Sequence, residues 1–191
     1  MQETMLFGEL EAIWKRDFVA TGLDMDFDAS TYECPYLWSS YVSGEKDACI
    51  PWWDIENVLI PCCISNFHWV LCKIVLRQKK ISIYDSLSRS KDPKQRIKDI
   101  EPLTRFLPAM LRCGGFFDHT NIDPWVDDID LSVVDHRLLP QQPPGCGAFV
   151  MKFMENIMRS QDHKWNFEGN DEKRIREEIA RDIFLNSKSC D

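Results

Sequence analysis

Apolar residues recur along this chain in two periods, and the change from one to the other separates helices from strands. Leu6, Leu10, Ile13 and Trp14 fall on one side of a 3.6-residue spiral, which predicts a helix over 3–16. The acidic stretch 21–30 reads as a loop, and 36–41 as a helical turn followed by a loop through Gly44 and Pro51. From Trp52 onward the pattern sharpens, because 58–60, 68–76 and 80–84 are apolar runs of strand length separated by short turns. They predict neighbouring strands of one sheet. In the second strand His68, Val70, Cys72, Ile74 and Leu76 share a face, while Trp69 and Leu71 point the other way. In the third, Ile81, Ile83 and Asp85 share a face, so the Asp85 carboxylate points inward at a strand end and needs a partner.

Helical spacing returns over 92–111 with Ile97, Ile100, Leu103, Phe106 and Leu107, and Pro102 and Pro108 are expected to kink or shorten that helix. Residues 113–128 read as a surface loop and 131–139 as a strand. After Cys146 the pairs Phe149 and Val150, Phe153 and Met154, Ile157 and Met158 mark a helix with a wide buried face. A loop over 162–170 leads to a last amphipathic helix over 172–185. There Ile175, Ile179 and Ile183 form one side, supported by the pairs Glu172 with Arg176 and Glu177 with Arg181. With no internal repeat and no low-complexity segment, residues 1–191 read as a single domain.

Composition narrows the function classes. A net charge of −8 argues against a nucleic-acid-binding surface, which needs clustered Lys and Arg. The one basic run, Lys91 to Lys98, is interrupted by acids and proline and reads as a solvated helix face. The residues Met1 to Met5 lack the charged-then-apolar pattern of a signal peptide, and no apolar run is long enough to span a membrane. The eight cysteines are therefore read as thiols in a reducing compartment, cytoplasm or nucleus. Cys62, Cys63, His68 and Cys72 resemble a metal cluster on paper. However, neighbours on a strand face opposite ways, and no pair has the two-residue gap of structural zinc sites, so no metal and no cofactor is expected.

The chemistry concentrates around Leu139 to Val150, where Pro140, Gln141, Gln142, Pro143, Pro144 and Gly145 form a rigid turn that delivers Cys146 to a helix start. Unpaired N–H groups and the positive end of the helix dipole stabilise a thiolate there. Gly145 and Gly147 leave the sulfur uncrowded, and Gln141 and Gln142 put carboxamide donors nearby that can hold an oxyanion. Together with His68 and Asp85 these are the parts of a thiol triad: base, orienter and nucleophile. Each part has a plainer reading. Cys146 would be a small buried residue, Trp69 core, His68 a hydrogen-bonded sheet residue and Asp85 a turn former before Ser86. His119, His136 and His163 have no matched acid and read as surface residues.

His68-Trp69 at a strand start, Tyr84-Asp85-Ser86 seventeen residues after the histidine, and Pro140-Gln141-Gln142 leading to Cys146-Gly147 together resemble the Ulp1/SENP family of ubiquitin-like-protein proteases, peptidase family C48. The likeness is clearest over 36–160. It leans toward plant-type members, including those carried by plant transposons, through Tyr41 to Gly44, Pro51-Trp52 and the run from Val58 to Pro61. The resemblance implies a papain-like α+β fold of the adenain clan, with a central mixed sheet flanked by helices and the nucleophile at the start of a buried helix. It implies cleavage after the Gly-Gly tail of SUMO or a related modifier. A monomer is expected, and from charge and hydropathy neither nucleic acid nor membrane is expected as a partner. By position, Cys146 would be the nucleophile, His68 the base, Asp85 its orienter and Gln142 the oxyanion donor, with Gln141 beside it. Trp69 would roof a narrow passage for the diglycine, alongside Gly145 and Gly147.

The stretch from Gln142 to Cys146 is about two residues shorter than in the family and lacks its usual acidic residue before the cysteine. That departure keeps a second reading open, a catalytically impaired module that binds a ubiquitin-like protein. A third, an acetyltransferase of the same clan, lacks an evident basic pocket for coenzyme A phosphates.

Overall fold

The computed structural model describes residues 3–46, 49–87, 92–125, 129–134, 139, 145–161, 165 and 172–187. Its centre is a sheet in the order β1 (Asn57–Ile64), β2 (His68–Val75), β3 (Lys80–Tyr84) and β4 (Asp130–Val133). β1 and β2 pair antiparallel, as do β2 and β3, while β4 joins β3 in parallel. The sheet is therefore mixed and the fold α+β. The β1–β2 turn is tight because Ser65 and Asn66 both take positive φ (53° and 58°), and the Phe67 N–H closes it onto the Ile64 carbonyl at 3.0 Å. It sets Ile64 opposite His68, so the histidine enters at the first position of β2.

The alternation expected along β2 sorts side chains into two cores. Val70, Cys72, Ile74 and Leu76, with Ile81 and Ile83 of β3, join a core filled from one face by α1 (Glu3–Ile13), α2 (Tyr36–Ser43) and α4 (Glu101–Cys113). Leu71 and Trp69 face the other way. They meet Ala148, Phe149, Val150 and Phe153 of α5 (Cys146–Met158), with Ile175 of α6 (Glu172–Ser187) behind them.

Several boundaries differ from the periodicity reading, each for a local reason. The first helix ends at Ile13 and widens into a π-turn over Trp14–Val19, where Ala20 N–H reaches the Lys15 carbonyl at 3.0 Å. The wider turn lays Trp14 and Phe18 together, 5.2 Å between ring centres, against Phe106. The expected 92–111 helix divides into α3 (Pro93–Asp99) and α4, because Pro102 cannot continue a helix but suits the first turn of a new one. Pro108 lies inside α4 without ending it. The described part of the expected 131–139 strand stops at Val133, and residues 135–138 lie outside the described residues.

Among the described residues no helix is long and apolar enough to cross a membrane. Cys62 and Cys72 face the core with their sulfurs 3.6 Å apart. Cys63 lies on the opposite face by strand alternation, opposite Trp69 in register.

Candidate active site

His68 and Asp85 stand at the adjoining ends of β2 and β3 and are both buried. His68 Nε2 lies 2.8 Å from Asp85 Oδ1. That oxygen also accepts from the Leu87 N–H at 2.7 Å, and Oδ2 accepts from Arg96 Nε at 2.8 Å. Burial pushes the Asp85 pKa up. The hydrogen bonds from His68 and Leu87, then the Arg96 charge, outweigh it and hold the carboxyl below its ordinary value. Asp85 is thus ionised at neutral pH and accepts only. Nε2 must then carry a proton, so that in the neutral tautomer Nδ1 is the acceptor.

The partner that the inward carboxylate required is therefore double: an imidazole and a guanidinium. Arg96 corrects the reading of Lys91 to Lys98 as a solvated face, because its side chain is only 4% exposed. A signal for it was present. Arg96 precedes Ile100 by four residues, so it lies on the same side of the spiral as a buried apolar residue, and it follows a carboxylate whose inward position calls for a partner.

Cys146 is the first residue of α5, half-buried. Gly145 caps the helix with φ of 90°, a left-handed backbone that strains any other residue, and a Cβ there would also push aside the Glu172 side chain 2.5 Å away. Gly147 is less constrained, since an added Cβ would sit 3.7 Å from Trp69 Cδ1, an ordinary contact. The Trp69 backbone N–H points at the Cys146 sulfur, 3.4 Å away. The residue after His68 thus supplies a donor to the thiol, and the two expected reacting groups come from adjoining elements. Burial, then the nearby Cys146 charge, raise the Cys63 thiol pKa.

α5 itself is locked by Lys152, whose ammonium meets Glu155 at 2.7 Å on its own helix and Glu178 of α6 at 3.3 Å. Of the remaining candidates, Gln141, Gln142, His136 and His163 lie outside the described residues. His119 stacks on Trp53 with ring centres 4.1 Å apart. Among the described residues no group of His, Cys, Asp and Glu is arranged to hold a metal ion.

Fold and geometry define the class: an α+β protein with an imidazole–carboxylate pair at a strand end and a helix-borne thiol that accepts the backbone N–H of the residue next to the histidine. The model of the Ulp1 protease family, C-terminal catalytic domain, matches residues 20–189, and the chain belongs to that family. Among solved structures, the SUMO protease Ulp1 with its catalytic cysteine oxidised to a sulfonic acid aligns with a TM-score of 0.54 and 25% identity, over 80% of this chain and 63% of that one. The C-terminal Ulp1 protease domain in complex with Smt3, the yeast orthologue of SUMO, aligns at a TM-score of 0.44 and 27% identity, over 64% and 49%. This chain spans less than two thirds of the length of either. No curated protein matches it.

Proposed function

We propose that this chain is a cysteine isopeptidase or endopeptidase that cleaves after the C-terminal Gly-Gly of a ubiquitin-like modifier, SUMO or a relative. The observation that carries the reading is the His68–Asp85 contact of 2.8 Å beside a thiol that accepts the Trp69 N–H. Asp85 holds the proton on Nε2, so Nδ1 is the nitrogen left to take the Cys146 proton. The thiolate attacks the glycine carbonyl, and the tetrahedral oxyanion is met by the Cys146 N–H at the open helix start. Family position adds the Gln142 carboxamide. The imidazolium then protonates the departing amine, and water, deprotonated by the same imidazole, hydrolyses the thioester. Trp69 lies against the helix at Gly147, which suits a passage narrow enough to favour residues without a β-carbon.

The test is reaction of the full chain with SUMO, ubiquitin and NEDD8 carrying C-terminal vinyl sulfone or aldehyde groups, read by intact mass. One modifier is expected to add covalently to the parent and not to Cys146→Ala. A folded, reduced parent that takes up none of them, yet binds one tightly, would replace the protease reading with the binding-module one.

A further inference from the structure

The thiol, imidazole and carboxylate leave one buried charge beside them without a role. Arg96 reaches the site from α3, whose start is set by Pro93 and by Asp92 accepting the Lys94 N–H at 3.0 Å. Its Nε donates to Asp85 Oδ2 and its Nη1 to Asp99 Oδ2, both at 2.8 Å. Nη2 is buried with no hydrogen-bond partner among the described residues. The position of the guanidinium is explained by what the other two arms hold. Asp99 fixes the fork, and the fork fixes the plane of the Asp85 carboxylate. Oδ1 is thereby left facing His68 Nε2 and the Leu87 N–H.

We propose that Arg96 is a positioning residue for the reaction: acting through Asp85, it holds that carboxylate rotated so that His68 is kept in the tautomer with Nδ1 bare. This rests on the reading of His68, Asp85 and Cys146 given above. Among the described residues, the charged or titratable groups in hydrogen-bond contact with Asp85 are His68 from β2 and Arg96 from α3, with Asp99 behind the arginine.

The experiment compares the full chain with Arg96→Met, Arg96→Lys and Asp99→Asn. It reads kcat and KM on SUMO bearing a C-terminal fluorogenic amide, and the low-field proton resonance of the His68 Nε2–H. Arg96→Met is expected to lower kcat roughly ten- to a hundredfold with KM unchanged, and to lose the resonance. Arg96→Lys should recover part of the rate, since an ammonium restores the charge but not the two-armed fork. A folded Arg96→Met with parental kcat and an intact resonance would overturn the proposal. So would equal losses in the Met and Lys variants with the resonance unmoved, the pattern of a merely structural residue. Should Arg96→Met fail to fold, Asp99→Asn decides. It leaves Nη1 an acceptor but removes the charge that anchors it, and is expected to lower kcat and broaden the resonance, and parental values in both would count against the proposal. If the parent turns over no SUMO substrate, the resonance still decides, by its presence in the parent and its loss or retention in Arg96→Met. Failure of the substrate reading is thus separable from failure of this one.

Discussion

The two faces of the sheet are built differently, and the candidate site lies where they meet. One face carries a ring-rich core in which Phe106 touches Phe27, Tyr32 and Trp38 with ring centres 5.1 to 5.2 Å apart, fed by α1, α2 and α4. The other is smaller, formed by α5 and α6 against Leu71 and Tyr84, and its rings Phe149, Phe153 and Trp165 lie 5.2 to 6.4 Å apart. By strand alternation His68 and Asp85 belong to the first face, along with Ile83 and Val70, whereas Cys146 arrives with α5 on the second. The base and its orienter are thus anchored in the large core and the nucleophile in the small one. Strength of packing and chemical role are separable here. The large core holds the buried imidazole–carboxylate pair, while the small one aims a helix start.

The largest expected effect follows from the charged side of that contrast. Asp85→Asn keeps the shape but reverses the hydrogen-bond preference at His68 Nε2. It should lower kcat by roughly three to four orders of magnitude while the folded structure survives. A parental rate would mean that another group orients the imidazole.

Next come paired deletions, one in each core. Phe106→Ala and Phe153→Ala should each cost about 3–5 kcal/mol, measured from urea midpoints at constant m. Only Phe153→Ala should also slow turnover of the folded fraction, because it loosens the helix that carries Cys146. Equal turnover in the two variants would erase the distinction between the faces.

Acid titration separates them more gently. Asp85 has a folded pKa below its unfolded value, so its ionised form adds stability that is fully present above about pH 4. That stability is lost as the pH falls from there through the lower folded value. The parent Tm should therefore fall more steeply than that of Asp85→Asn below about pH 4; parallel curves would show that the pairing does not contribute. Smallest is Lys152→Met, which removes the tie between α5 and α6. Its groups are 12% and 27% exposed, so about 1 kcal/mol or less is expected, from thermal melts at low and high salt.

Much of this architecture is legible in the residues because it rests on local periodicity. Alternation along 68–76 assigned Val70, Cys72 and Ile74 to one face and Leu71 to the other, and the two cores follow that division. The inward carboxylate of Asp85 was readable for the same reason, as was its need for a partner. What was not legible depended on steric detail or on distance along the chain. The π-turn at Trp14 reflects which rings Phe106 accepts, and periodicity cannot register one extra residue in a turn. For Arg96, spacing from Ile100 points to a buried side but charge patterning cannot say which carboxylate it meets, because that partner lies eleven residues away.

By itself, the sequence determined the order of the strands along the chain, the side to which each core residue turns, and the presence of a cysteine at a helix start, all short-range consequences of side-chain geometry. Only the tertiary structure decided that Asp85 is shared between His68 and Arg96, and that the Trp69 amide meets the Cys146 sulfur. Those contacts join residues from different strands and helices. Their lengths depend on how the sheet and its flanking helices pack, which no local period specifies.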